Sequence, residues 1–434
     1  MKITTEETNS NSPKKICLAN GLTVIYKHIP NCGIVDVRLT VKAGAVYEFP
    51  KYKAGTAHFL EHIVHEKTEK YESKELLKSK IVQNGGQSNA TTYNNEKMFF
   101  FASVLSHFSE DAFEYVSQVA FHPILTEDSV EKHRSIITQE MFQIMKSPSN
   151  KLYCSFRSLV YGDSQYAVHT IGTEESIKDI SLSELKDFHT ERFTPENCLL
   201  AIYGDVEEEK VIELSEKYFS TSIITKVVEP EAVNALAIAI DTDKTQKRYI
   251  HTQTEDSQAS IWYGGAFDGK DDTYYFKLTL LLRILAGDAS SILTQILRDK
   301  KHLTYHVGCF KVSTETSGFF GFELNAAQEN IQEIIQIIRS EMESISKGNF
   351  DEDKISLAKT RIKAENVFNN QRIQTRSEND SDSVFFYKGL NSFDDFVKMT
   401  ELVTKEDIVE TAQWTLERMN ILSVLSKKDE SFEF

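Results

Sequence analysis

The chain has 434 residues, 40% of them hydrophobic and 26% charged, the balance of a soluble globular protein long enough for two or three cores. Asp and Glu outnumber Lys and Arg by 65 to 49, and a net charge of −16 leaves no basic footprint for nucleic acid. No apolar run reaches the ~18 residues of a membrane span, and the five scattered cysteines form no C-x-x-C pair, which argues against a disulfide framework or a cysteine metal site.

Met1 to Lys15 is polar and lacks the apolar core of a signal peptide. It is expected to be a disordered lead-in, and the protein is expected to work in a reducing cytoplasm. Strands are predicted at 22–29 and 34–43. In the second, Val35, Val37, Leu39 and Val41 share one parity, which is strand periodicity. Gly44 ends that pattern, and a helix is predicted over 53–65. Next come a helix at 71–83, strands at 88–93 and 97–104, and helices at 106–120, 127–145 and 181–192. A strand at 197–204 and a helix at 206–219 close a first domain, 16–222. Residues 223–245, with Pro230, read as a linker.

The second domain, 246–434, repeats this plan. Strands are predicted at 247–253 and 258–267, and helices at 272–285 and 289–300. Strands at 304–313 and 316–324 form a hairpin, helices run from 328 to 417, and a last strand lies at 419–426. Two halves of similar order imply a duplicated α+β fold, each half a mostly antiparallel sheet with helices packed on one face.

The helix at 53–65 carries His58-Phe59-Leu60-Glu61-His62. Residues i and i+4 share a helix face, so both imidazoles can reach one metal ion, with Glu61 beside them. Zinc takes His nitrogens and carboxylate oxygens and, in catalytic sites, keeps one position open. A free carboxylate next to that position can accept a proton from water. This is the inverted zincin order H-x-x-E-H. A third protein ligand is still needed. On the helix at 127–145, where Ile136, Ile137, Met141 and Ile144 set the apolar spacing, the acidic candidates are Glu131 and Glu140. A rival three-His site would use His58, His62 and His65, at i, i+4 and i+7. The second half offers only Asp271-Asp272-Thr273-Tyr274-Tyr275 in place of the motif, so one half alone can hold metal.

With these residues the chain resembles the pitrilysin/insulysin family of metallopeptidases, which includes the mitochondrial processing peptidases. The likeness extends through Asn20-Gly21-Leu22-Thr23-Val24, Ala43-Gly44-Ala45-Val46-Tyr47-Glu48, Gly86 with Ser88 to Thr92, Ala201-Ile202-Tyr203-Gly204-Asp205-Val206, and Leu297-Arg298 with Leu303-Thr304-Tyr305. The resemblance implies that Glu140, 78 residues after His62, is the third zinc ligand, and that Glu61 is the general base. It implies that Tyr305 donates to the oxyanion and Arg298 holds the substrate backbone. Ser88, Asn89, Ala90 and Thr91 would accept the peptide as an added strand. There are two departures. His133 stands where the family usually has a second Glu, and can orient a metal ligand by hydrogen bonding or sit at the surface. His302 stands where a Gly is common. The implied activity is that of a Zn2+-dependent endopeptidase or oligopeptidase. It would cleave peptides, or a precursor's leader, in a chamber of paired α+β domains. A homodimer is expected, or a heterodimer with a related subunit. A non-catalytic scaffold subunit is the competing class.

Overall fold

A computed structural model of the protein describes residues 5–6, 12–93, 96–162, 167–220 and 246–434. The predicted linker falls in 221–245 and so lies outside the described residues, as do residues 1–4 and 7–11 of the predicted lead-in. The described part of that lead-in is not disordered. β1 (Thr5–Glu6) pairs antiparallel with β2 (Lys14–Cys17), and Lys14 forms an ion pair with Glu208.

The first sheet contains β3 (Thr23–His28), β4 (Ile34–Val41), β5 (Gln87–Tyr93), β6 (Lys97–Leu105) and β7 (Cys198–Gly204). Its order is β1-β2-β3-β7-β4-β6-β5; β3 and β7 are parallel, and the other neighbours are antiparallel. The second sheet contains β8 (Arg248–Gln253), β9 (Ala259–Phe267), β10 (Thr304–Ser313), β11 (Gly318–Ala326) and β12 (Ile421–Ser426). Read as β8-β12-β9-β11-β10, it repeats β3-β7-β4-β6-β5, including the one parallel pair. The predicted duplication of an α+β unit is therefore present. All five cysteines are free, and no helix among the described residues is long and apolar enough to cross a membrane.

The two compact units are not the contiguous domains read from sequence. Unit 1 takes residues 1–141, 169–233 and 366–396, and unit 2 takes 142–168, 234–365 and 397–434. The reason lies in β4. Its apolar parity, Val35 to Val41, is fully buried, but Asp36, Arg38 and Thr40 on the other parity are buried too. Successive side chains of a strand point to opposite faces, so both faces of this sheet are covered. On the face opposite the apolar parity lies the helix Ile373–Phe386, from the C-terminal half of the chain. Its Ile373, Val384 and Phe385 pack on Ile25, Leu199, Ala201 and Tyr203. Unit 2 shows the same device. Between the predicted helices at 127–145 and 181–192 the structure has a further helix, Pro148–Tyr161. Its Tyr153 and Phe156 rings lie 6.1 and 5.9 Å from Trp262 of β9. Tyr263, the next residue, points the other way and accepts a hydrogen bond from Arg339 at 2.9 Å.

Candidate metal centre

α1 (Thr56–Ile63) carries the motif. Its apolar side, Ala57, Phe59, Leu60 and Ile63, is fully buried. His58, Glu61 and His62 share the remaining face, at the i, i+3, i+4 spacing. The start of the helix is built tightly. Gly55 adopts φ +96°, and a Cβ there would stand 2.7 Å from the Ile171 carbonyl oxygen, so both the backbone and the space require glycine. The Gly55 and Ala57 amides donate to the buried Glu48 carboxylate at 3.1 and 2.8 Å. These are first-turn donors without intrahelical acceptors, so a carboxylate there also suits the helix dipole.

Glu140 lies on the helix Glu127–Ile144. Its Oε2 is 3.3 Å from His62 Nε2, and its Oε1 is 3.8 Å from His58 Nε2. Ligand atoms of His58, His62 and Glu140 all fall within 4.8 Å of one another, the one such group found among the described residues. Ligands about 2.0–2.2 Å from a tetrahedral zinc lie roughly 3.3 Å apart, so this donor set fits the ion. Burial, together with the charge of His62, holds the His58 imidazole down at about pKa 3, against the pull of Glu140, which favours a neutral ring. A neutral ring is what a metal requires of histidine. Glu140 is held below the ordinary carboxylate range, chiefly by its hydrogen bond from His62. Glu131, the other acidic candidate, pairs instead with Arg134 at 3.0 Å.

The three-His alternative does not form. His65 lies just past the end of α1 and is turned into the core, ring against ring with Phe100 and Tyr115. Its Nδ1 is 3.1 Å from the Glu61 carbonyl oxygen.

Glu61 is not a member of the three-residue donor group of His58, His62 and Glu140. Its Oε2 accepts from the Thr92 amide at 2.7 Å and the Thr92 hydroxyl at 2.9 Å. Burial raises its pKa, opposed by those bonds. Thr92 is on β5, the outer strand of the first sheet. Its amide faces away from β6. By the alternation of an antiparallel ladder, the main-chain groups of Ala90 and Ser88 also face away from β6, while those of Asn89 and Thr91 face it; Ala90 itself is buried, and its carbonyl oxygen accepts from the Thr91 hydroxyl at 2.7 Å.

His133 is not a surface residue, being 3% exposed. Its Nε2 is 2.9 Å from the Glu66 carboxylate, and its ring centroid is 5.6 Å from that of His62. Two contributors carry no motif that would reveal them. Glu48 reads as a strand end but seats α1. His169 is held in a loop that packs on the start of α1, and its charge acts on both His58 and Glu140. The Ser176 hydroxyl, in the short helix Glu174–Asp179 that follows this loop, donates to the Ala54 carbonyl at 2.7 Å.

Arg298 and Tyr305 belong to unit 2. Arg298 lies on a π-helical segment, Thr294–Lys300, and donates to Asp299 at 2.8 Å. Tyr305, at the start of β10, is 89% exposed, which argues against a packing role. Between them His302 adopts φ +56°, and its Nδ1 lies 3.0 Å from the Arg298 carbonyl oxygen. This left-handed conformation is the one glycine takes at no cost, and histidine reaches it here with a local hydrogen bond.

Family models match residues 23–174, as insulinase (peptidase family M16), and residues 179–362, as the peptidase M16 inactive domain. The chain belongs to peptidase family M16. An uncharacterized zinc protease of Rickettsia felis is 23% identical over 412 residues, covering 95% of this chain and 97% of that protein. The β subunit of the mitochondrial-processing peptidase of Saccharomyces cerevisiae is 24% identical over 420 residues, covering 94% and 89%. Among solved structures, a protease from Helicobacter pylori superposes with a TM-score of 0.84 at 21% identity, covering 95% of this chain and 99% of that one. A peptidase M16 inactive-domain structure from Pseudomonas fluorescens gives 0.81 at 17% identity, with full coverage of both chains. These two share the fold. The inactive-domain model covers most of the second half, where the described residues hold no metal-ligand group.

Proposed function

We propose that this M16 chain is a zinc-dependent endopeptidase or oligopeptidase that cleaves peptides, or the leader of a precursor, in a chamber of paired α+β domains. The observation that carries this reading is the His58–His62–Glu140 triangle with a separate carboxylate, Glu61, held by Thr92 of the outer strand β5. Zinc, when bound, supplies a Lewis acid and lowers the pKa of water. Glu61 takes a proton from the attacking water and passes it to the leaving amine. The outer strand around Ser88 to Thr91 takes the substrate main chain as an added strand, a mode that demands little side-chain sequence. His133, fixed by Glu66, backs the His62 ring. Tyr305 donates its hydroxyl to the oxyanion, and Arg298 holds the substrate backbone. The protein works in the cytoplasm as a homodimer, or as a heterodimer with a related subunit. A random peptide pool incubated with the pure chain, with and without chelator, and read by mass spectrometry tests the proposal. Chelator-sensitive cleavage is expected, and its complete absence would sink the peptidase reading for the isolated chain.

Two further results are expected. Pure protein should carry about one zinc per chain, and Glu140→Gln should lose most of it while His65→Ala retains it, as measured by metal analysis. The opposite pattern would reinstate the three-His site. Tyr305→Phe should lower kcat by ~10²–10³, the usual worth of an oxyanion donor, with zinc content and melting temperature unchanged. Mixing inactive Glu61→Gln and Tyr305→Phe chains should restore part of the activity if a partner chain supplies Tyr305. No recovery despite proven subunit exchange means that each chain supplies its own. A Tyr305→Phe enzyme with wild-type kcat removes Tyr305 from the mechanism.

A further inference from the structure

We infer that Thr92 is a positioning residue: it fixes the proton-accepting carboxylate of Glu61 through its amide and its hydroxyl. The inference rests on the peptidase reading above. A glutamate side chain has three rotatable bonds, so a base on a helix face has no fixed place unless something holds it. Here both hydrogen bonds to Glu61 come from one residue, and both go to Oε2. Oε1 receives no hydrogen bond among the described residues. The carboxylate therefore has one oxygen held and one free to accept a proton. Two charge-assisted bonds from a single residue fix orientation as well as place. The hold spans two elements, since Thr92 is on β5 and Glu61 is on α1.

Two substitutions separate this role from ordinary packing. Thr92→Val keeps the shape and the amide but removes the hydroxyl, and Thr92→Ser keeps the hydroxyl. Displacing a reacting group by ~1 Å can cost on the order of 10²-fold in rate. In the zinc-loaded enzyme, acting on a peptide found in the random-pool experiment, Thr92→Val should lower kcat at least tenfold. KM and zinc content should stay near wild type, and Thr92→Ser should recover most of the loss. A separate readout does not use activity. In the full chain as purified, exchange of the Thr92 amide with deuterated water should quicken about tenfold or more in Glu61→Ala, because the Glu61 carboxylate is the acceptor of that amide's hydrogen bond. An active enzyme in which Thr92→Val leaves kcat unchanged, or in which Ser rescues no better than Val, overturns the positioning role. A Thr92 amide that exchanges at the same rate with and without the Glu61 carboxylate overturns the hold itself. A wild-type chain that cleaves no peptide defeats the peptidase reading, and this role of Thr92 with it, a failure distinct from the two above.

Discussion

Glu61→Gln should lower kcat by ~10²–10⁴, the usual worth of a positioned general base, while zinc content and peptide affinity stay close to wild type. Glutamine has the same shape, and its amide oxygen can still accept the two bonds from Thr92. The side chain therefore keeps its seat and loses only the ability to take a proton. Zinc content should hold because the ligand triangle is His58, His62 and Glu140, without Glu61. Peptide should still bind because the substitution leaves the main chain of β5 untouched. Single-turnover kinetics, metal analysis and fluorescence anisotropy of a labelled uncleaved peptide measure the three quantities separately. Turnover within tenfold of wild type would mean that another group accepts the proton. Loss of zinc in Glu61→Gln would instead make Glu61 part of the metal site.

The metal-binding face was legible because its information is local. His58, Glu61 and His62 lie within one and a half helical turns, and their chemistry needs only helix geometry to be recognised. Glu140 was legible only through resemblance, since Glu131 on the same helix is equally acidic and spacing alone does not separate them. The structure does so: Glu131 bonds Arg134, and Glu140 meets both histidines. The strands of both halves were readable from alternation and turn residues, and the hairpin of β10 and β11 was among them. What sequence pattern hid is who covers which face. Asp36, Arg38 and Thr40 look like the solvent side of β4, because polar residues on one parity normally face water. They are buried by a helix more than 300 positions later in the chain. The helix Pro148–Tyr161 was hidden differently. Pro148 punctuates the helical pattern before it, yet proline in a first turn also opens a helix, and Leu152, Phe156 and Val160 repeat every four residues behind it.

A chain ending at residue 222, the boundary read from sequence, should therefore not fold cooperatively, although it contains every proposed metal ligand. Such a chain lacks 366–396, which belongs to the same compact unit. Three acidic side chains of the missing helix act on the sheet. Glu378 lies 3.5 Å from Arg38, which is 3% exposed and whose guanidinium sits over Phe99 and Phe101. Asp382 and Glu378 take the Lys97 ammonium at 2.6 and 3.1 Å. Asp380 accepts from the buried Tyr203 hydroxyl at 2.8 Å. Breaking a buried ion pair by removing one partner costs about 3–5 kcal/mol, and partly exposed Glu378 places Arg38 at the lower end. Stripping Ile373, Val384 and Phe385 from Ile25, Leu199, Ala201 and Tyr203 adds roughly 1.5–3 kcal/mol for each large apolar side chain. The truncated chain would also keep the helix Pro148–Tyr161, whose Phe156 has its partners Trp262, Phe310 and Phe319 in unit 2. Together these losses match the whole stability of an ordinary domain, about 5–15 kcal/mol. Circular dichroism during urea titration should show no cooperative transition for 1–222. Joining residues 366–396 to that chain through a flexible linker, with 142–168 replaced by a short loop, should bring one back. A sharp transition in 1–222 alone would show that the C-terminal helix only decorates the sheet, and that the contiguous boundary is a folding boundary after all.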